Sequence, residues 1–101
     1  MKFEEVLPAL RDGERLVNSQ LSAVGGFIVR QVPQTVPAEV VPKMTSLPDS
    51  AKEHIARGGG KDLRFYGQVL LVYWDDMRDE YKATSWSPSA YDLFREDWTI
   101  A

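Results

Sequence analysis

Apolar residues at helical spacing begin the chain. The i, i+3, i+4, i+7 pattern of an amphipathic helix is met by Phe3, Val6, Leu7 and Leu10. An interior proline costs a helix about 3 kcal/mol, so Pro8 indicates that this helix either begins near Glu5 or is kinked. Gly13 is a suitable residue to end it. The pattern therefore predicts an N-terminal helix.

Alternating apolar and polar positions predict strands over residues 15–19, 27–32, 63–74, 81–86 and 98–100. Strand 63–74 is the longest, and Gly67 within it indicates a bulge or a close backbone approach. Residues 20–26, which end in two glycines, are predicted as a loop, because glycine permits backbone conformations that other residues avoid. The acidic segment 75–80 is predicted as the turn that joins two antiparallel strands.

Proline and serine mark the remaining segments. Four of the six prolines lie in residues 33–48, which predicts an irregular, extended segment packed through its apolar residues. A short helix is expected from Leu47 to about Ala56. Ser87 and Pro88 are predicted as the N-cap and first residue of a C-terminal helix in which Tyr91 and Phe94 share a buried face. Without regular βαβ alternation, the expected fold is α+β: a small antiparallel sheet with an N-terminal helix and short additional helices.

The length and charge of the chain restrict the classes of function. A chain of 101 residues is expected to form one domain over residues 1–101. It contains no cysteine for a disulfide or thiolate metal site, and no apolar run long enough for a membrane span. Its acidic N-terminus is unlike a signal peptide, so we expect a soluble intracellular protein. A net charge of −3 argues against a general DNA or RNA binder, although a small anionic ligand is compatible with it.

The sequence contains few candidate catalytic residues. His54 is the single histidine, and no nucleophile–base pair or carboxylate pair is recognisable. The glycine run 58–60 lacks the spacing of a phosphate-binding P-loop. We therefore expect a binding protein with no catalytic residue, no metal and no cofactor.

The C-terminal segment carries a spaced pattern of two tryptophans and two aspartates. It has the form Trp-x-x-Ser-x-x-Asp-Leu-x-x-x-Asp-Trp, with the fixed positions at Trp86, Ser89, Asp92, Leu93, Asp97 and Trp98. This run resembles the C-terminal signature of a phage protein family, the Thoeris anti-defence 2 family. The helix–Gly–strand–Gly–strand order of the N-terminal half resembles that family too.

The resemblance implies a phage anti-defence protein acting in the cytoplasm of the infected bacterial host. Such proteins sequester cyclic nucleotide immune signals without cleaving them, chiefly the cyclic ADP-ribose isomers of Thoeris and in some branches cyclic dinucleotides. The resemblance further implies a homotetramer with ligand pockets at protomer interfaces. Family members commonly carry Trp at the position of Leu21 and Arg at that of Asn18, so the preferred cyclic nucleotide is left open.

Aromatic and polar residues at the predicted strand ends and loops are the candidate ligand contacts. Aromatic faces stack on bases, hydroxyls and amides bond ribose and phosphate, and a few cations balance charge. The candidates are Phe27, Arg30, Lys43, Thr45, Tyr66, Gln68, Trp86, Ser87, Ser89 and Asp92. Several have a structural alternative: Trp86 as a core anchor, Asp92 as a helix cap, Arg30 as a solvated side chain, and Lys43 and Thr45 as parts of a well-anchored loop. The alternative function is a small oligomeric module that binds a protein partner through the same apolar and aromatic surface.

Overall fold

A five-stranded antiparallel sheet, a separate two-stranded ladder and short helices give the chain the α+β fold that the sequence predicts. The structure is a computed structural model that describes residues 1–101. The helices are α1 (Phe3–Arg11), α2 (Ser19–Ala23), α3 (Asp49–Arg57) and α4 (Ala90–Phe94), with a 3₁₀ turn at Val41–Lys43. The strands are β1 (Leu16–Val17), β2 (Phe27–Arg30), β3 (Gln34–Val36), β4 (Leu63–Phe65), β5 (Val69–Asp75), β6 (Glu80–Ser85) and β7 (Thr99–Ile100).

The chain forms two compact units. One consists of Met1–Val32 together with Gln68–Ala101, and the other is Pro33–Gly67. We call them the sheet unit and the inserted unit. The expectation of a single domain over residues 1–101 stays a prediction. None of the helices combines the length and apolar character needed to cross a bilayer.

The sheet unit is built around one covered face of its sheet, whose strand order is β6-β5-β2-β1-β7. The register places Leu16 opposite Ile28 and Ile28 opposite Leu71, so these side chains share a face. Helix α1 packs its Val6 and Leu10 against that face. Burial of this apolar stripe is the main source of stability for such a helix, because short helices are marginal alone in water. The covered face is therefore the core of the unit.

Helix α1 begins at Phe3, so a start near Glu5, the first of the two alternatives raised by Pro8, is not found. The backbone N–H of Lys2 donates to the Glu5 carboxylate at 2.8 Å and satisfies a donor at the helix start. The helix ends at Arg11, and Gly13 follows with φ of +93°. That left-handed conformation suits glycine and turns the chain towards β1.

The predicted strand 63–74 is two strands in different sheets, and the prediction of one continuous strand is wrong. Strand β4 pairs with β3, whereas β5 pairs with β2 and β6. Gly67 lies between them with φ of +81°, a conformation that a strand does not continue through. The glycine therefore marks a break in the strand, not a bulge.

Helix α2 occupies residues predicted as a loop. Asn18 is its N-cap: the side-chain Oδ1 accepts from the Leu21 N–H at 2.9 Å, and the asparagine is buried. This cap starts a helix of one turn, which Gly25 ends with φ of +67°. Segment 33–48 is also more regular than predicted, because it contains β3 and the 3₁₀ turn.

Candidate functional site

Trp98 is the centre of an aromatic cluster in the core of the sheet unit. Its side chain is fully buried, and its indole Nε1–H donates to the carbonyl of Asp92 at 2.9 Å. The ring meets Phe3 at 5.3 Å and Trp86 at 6.1 Å between centroids, in edge-to-face geometry. The half-buried Trp86 therefore packs against the core, as its structural alternative expects.

Ser89 and Asp92 are brought together as the cap of helix α4. The Ser89 N–H and Oγ–H donate to the Asp92 carboxylate at 2.9 and 3.0 Å, and the Asp92 N–H donates to Ser89 Oγ at 3.2 Å. These reciprocal bonds form a capping box. The helix therefore begins after Ser89, and the predicted N-cap at Ser87 is wrong.

Asp97 connects the C-terminal segment to α2. Its carboxylate accepts from the Ser19 N–H at 3.1 Å and Oγ–H at 2.5 Å, and from the Arg95 guanidinium at 2.6 and 2.8 Å. The Arg95 guanidinium, followed by the Ser19 hydroxyl, holds the pKa of this carboxyl well below its usual range. The same contact raises the pKa of Arg95. The C-terminal pattern of Trp, Ser and Asp thus stabilises the fold.

Four other predicted residues, Phe27, Arg30, Gln68 and Ser87, also lie in the sheet unit. Phe27 and Arg30 are three apart on β2 and point to opposite faces, so the expected convergence is not found for this pair. Arg15 lies over the Phe27 ring at 5.1 Å, and Arg30 donates to the Arg11 carbonyl at 3.1 Å. Gln68 accepts a hydrogen bond from the Ser85 hydroxyl, and Ser87 is exposed. Their roles as ligand contacts stay predictions.

The other three predicted residues, Lys43, Thr45 and Tyr66, lie in the inserted unit. Lys43 ends the 3₁₀ turn and Thr45 follows it, and both are exposed. The lysine that fixes this loop is Lys52, which sequence reasoning missed: its Nζ donates to the Met44 carbonyl at 2.9 Å and lies 3.2 Å from the Asp49 carboxylate.

Tyr66 lines an open pocket of about 300 Å³ on the β3–β4 ladder. We call it the ladder pocket; its other lining residues are Pro33, Gln34, Thr35, Arg64 and Phe65. The tyrosine is 76% exposed, and the exposed Arg64 belongs to none of the ion pairs of the chain. Thr35 lies opposite Arg64, and Tyr66 is two residues beyond Arg64, so an exposed aromatic ring, a guanidinium and a hydroxyl share one face of the ladder. This set can stack on a base and bond phosphate or ribose.

Sequence reasoning selected only Tyr66 of this pocket. Thr35 lies opposite Arg64, and Gln34 lies opposite Phe65. The alternation of Arg64 and Tyr66 was the available signal, since residues two apart on a strand share a face. The β3 residues that line the pocket come from a segment that the sequence predicted as irregular, so no local pattern identified them.

Two comparisons bear on identity. No curated protein matches the chain at a significant level. The family model described as the Thoeris anti-defense 2-like domain matches residues 1–101, which is the whole chain, and this confirms the resemblance carried by the C-terminal pattern. The chain therefore belongs to the Thoeris anti-defense 2-like family, and its membership implies a role in Thoeris anti-defence.

Proposed function

We propose that the protein is a sponge that binds a cyclic nucleotide immune signal and sequesters it without cleaving it, in the cytoplasm of an infected bacterial host. The observation that carries the proposal is membership of the anti-defence family over residues 1–101. A sponge competes with an effector by affinity alone, so it needs tight binding and no turnover. A nanomolar dissociation constant corresponds to about −12 kcal/mol.

We further propose the ladder pocket as the ligand surface. Tyr66 supplies a face on which a purine stacks, and Arg64 supplies a planar pair of donors for a phosphate. Thr35, which lies opposite Arg64, offers a hydroxyl for the ribose. The net charge of −3 does not oppose this, because one local cation and several neutral donors suffice for a small anion.

The size of the ladder pocket supports assembly into a homo-oligomer, a tetramer by family resemblance. Its volume of about 300 Å³ lies at the low end for ligand pockets. An open pocket of this size covers one base and its sugar. A cyclic dinucleotide has two bases and two sugars, so its second nucleotide would stay uncovered by a single protomer. A second protomer would enclose the remainder of the ligand, which fits pockets shared between protomers.

Two positions support a broad choice of ligands. Asn18 and Leu21 stand where family members commonly carry Arg and Trp, and both serve the fold in this chain. Asn18 caps α2, and Leu21 packs against the core. Neither offers an exposed cation or aromatic ring. We therefore propose cyclic dinucleotides as ligands alongside the cyclic ADP-ribose isomers.

The second candidate function is an oligomeric module that binds a protein partner. The observation that favours it is the exposure of Tyr91 and Phe94 on helix α4, in a segment where the sequence predicted burial. Such a module would bind no nucleotide, so a single titration separates the two functions.

The test is calorimetric titration with a panel of cyclic ADP-ribose isomers and cyclic dinucleotides, followed by heat denaturation and recovery of the ligand. We expect nanomolar binding to at least one member and intact ligand afterwards. Tyr66→Ala should weaken that binding by about 1–3 kcal/mol, the contribution of one stacked base. Tyr81→Ala is the matched control, because Tyr81 is also an exposed tyrosine but lies on β6 of the sheet unit.

Three outcomes would contradict these proposals. Absence of heat with every member would reject the sponge and favour the protein-binding module. Recovery of altered ligand would make the protein an enzyme. Equal weakening by Tyr66→Ala and Tyr81→Ala would remove the ladder pocket as the ligand surface, while the sponge itself would stand.

A further inference from the structure

Helices α1 and α4 border a groove of about 590 Å³ on the sheet unit, which we call the α1–α4 groove. Its apolar lining includes Leu7 of α1 and Leu93 and Phe94 of α4. Tyr91 lies beside it, in a hollow that shares Phe94 and Arg95 with the groove. The groove shares no lining residue with the ladder pocket.

The apolar side chains of α4 are exposed although the helix itself is firmly held. Phe94 is 80% exposed and Tyr91 is 70% exposed. The capping box of Ser89 and Asp92 fixes the start of α4, and the Arg95–Asp97 ion pair fixes the residues after it. The phenylalanine and tyrosine are therefore presented to solvent by an anchored element. An exposed apolar cluster of this kind indicates an interaction site.

The charges at the rim of the groove favour a second copy of the same chain as the occupant. The groove is lined by two cations, Lys2 and Arg95, and two acids, Glu4 and Glu96. Arg95 already pairs with Asp97, whereas Lys2, Glu4 and Glu96 belong to none of the ion pairs. In a two-fold contact the same patch meets itself, so it must carry both signs. A membrane surface would require a predominantly basic rim instead.

The exposed apolar area is appropriate for the core of such a contact. A whole aromatic side chain buries about 150–250 Å², and most of Phe94 and Tyr91 is exposed. With Leu7 and Leu93 added, the patch supplies an apolar centre, and the charged residues supply a polar rim. This is the usual anatomy of an interface that buries about 800 Å² per partner.

We propose that two copies of this chain pack through their α1–α4 grooves in a two-fold contact, with Phe94 of each copy entering the groove of the other. The proposal rests on the homo-oligomer of the proposed function and names the surface that forms one of its contacts. It requires no nucleotide, because the groove and the ladder pocket share no residue.

The test is sedimentation equilibrium of the full chain at micromolar concentration, without ligand. The wild-type protein should show twice the chain mass of 11.4 kDa or a higher even multiple. Phe94→Glu places one charge from each copy in the centre of the contact. It should raise the dissociation constant of the dimer at least about 30-fold. Tyr91→Glu should act in the same direction. Met77→Glu is the matched control, since Met77 is 97% exposed in the β5–β6 turn, outside the groove.

A monomeric wild-type protein would overturn the proposal, and so would an unchanged mass for both Phe94→Glu and Tyr91→Glu. Equal dissociation by Met77→Glu would overturn it as well. Titration of the same samples with the nucleotide panel separates this inference from the proposed function. If Phe94→Glu dissociates the oligomer and the wild-type protein binds no nucleotide, the contact is established and the sponge is rejected. Tight nucleotide binding by a monomeric wild-type protein rejects the contact and keeps the sponge.

Discussion

A single carboxylate, that of Asp97, joins two segments that are far apart in the chain. It accepts both donors of Ser19, 78 residues earlier, and the guanidinium of Arg95. Because the carboxylate is ionised in each of these contacts, its affinity for protons is lower in the folded chain than in the unfolded one. The contact therefore makes folding depend on pH.

The sign of that dependence gives a prediction. The folded pKa of Asp97 lies below its unfolded value of about 3.9, so its contribution to stability is present above that pH and is lost as the pH falls towards the folded pKa. Asp97→Asn should lower the urea midpoint at pH 7. The difference between the variant and the wild-type protein should shrink below about pH 4.

Urea unfolding at pH 7 and pH 3 measures this difference, with Asp76→Asn as the control. Asp76 is an exposed acid in the β5–β6 turn, and the described hydrogen bonds and ion pairs do not involve its side chain. A midpoint difference for Asp97→Asn that is the same at both pH values would contradict the assigned role of the carboxylate.

At the scale of an element, helix α4 shows how two rules for a helix start compete. Ser87 followed by Pro88 satisfies the preference for serine at the N-cap and proline at the first helical position. Ser89 followed three residues later by Asp92 satisfies the capping box, and this pair forms the observed bonds. The capping box satisfies backbone donors at both of its ends, which a lone serine before proline does not.

A pair of substitutions tests which serine is the cap. Ser89→Ala should lower the free energy of unfolding by about 1 kcal/mol, because it removes the acceptor for the Asp92 N–H. Ser87→Ala should change it by no more than about 0.5 kcal/mol, as for an ordinary surface position. Denaturant unfolding of both variants provides the measurement. The reverse order of effects would restore Ser87 as the cap.

The same scale explains which parts of the fold the sequence could predict. Helix α1 and most strands carry their own periodicity, so they were identified, although β1 and β2 are shorter than predicted. The break between β4 and β5 was missed because both strands alternate in the same way and differ only in their partners. Helix α2 was missed because its signal is one asparagine cap before a single turn.

The ladder pocket was largely beyond sequence reasoning for a related reason. Tyr66 was selected as an aromatic residue within the predicted strand 63–74. Gln34 and Thr35 join it only through the β3–β4 register, which is a contact between distant segments. Conversely, Trp86, Ser89 and Asp92 formed the clearest pattern in the sequence, and their contacts are within the fold.

At the scale of the whole molecule, the two compact units raise the question of cooperativity. Val41 is the only buried apolar residue of the inserted unit. Chains shorter than roughly 40 residues usually need disulfides, metals or oligomerisation to fold, and the segment 33–67 is below that length. The inserted unit therefore should not remain folded once the sheet unit has unfolded. We predict one transition for the chain, in agreement with the expected single domain.

The distribution of tryptophan makes this prediction measurable. Trp74, Trp86 and Trp98 all lie in the sheet unit, so tryptophan fluorescence reports that unit alone. Far-ultraviolet circular dichroism also reports α3 of the inserted unit. The two signals should follow coincident urea transitions. Loss of the dichroism signal ahead of the fluorescence would show that the inserted unit unfolds independently.

The two stretches of the sheet unit that flank the insert in sequence are paired with each other. Arg30 lies opposite Val69, and the Gln31 N–H donates to the Gln68 carbonyl at 2.8 Å, so the pairing of β2 and β5 continues to the boundary of the insert. In the order of the chain, the insert connects two antiparallel partner strands, as a hairpin turn does. Insertions and exchanges of whole segments are tolerated best where both ends are already held together. The segment 33–67 is thus a replaceable insert. Its length and its ligand chemistry can change, in evolution or by engineering, while the pairing of β2 with β5 is kept.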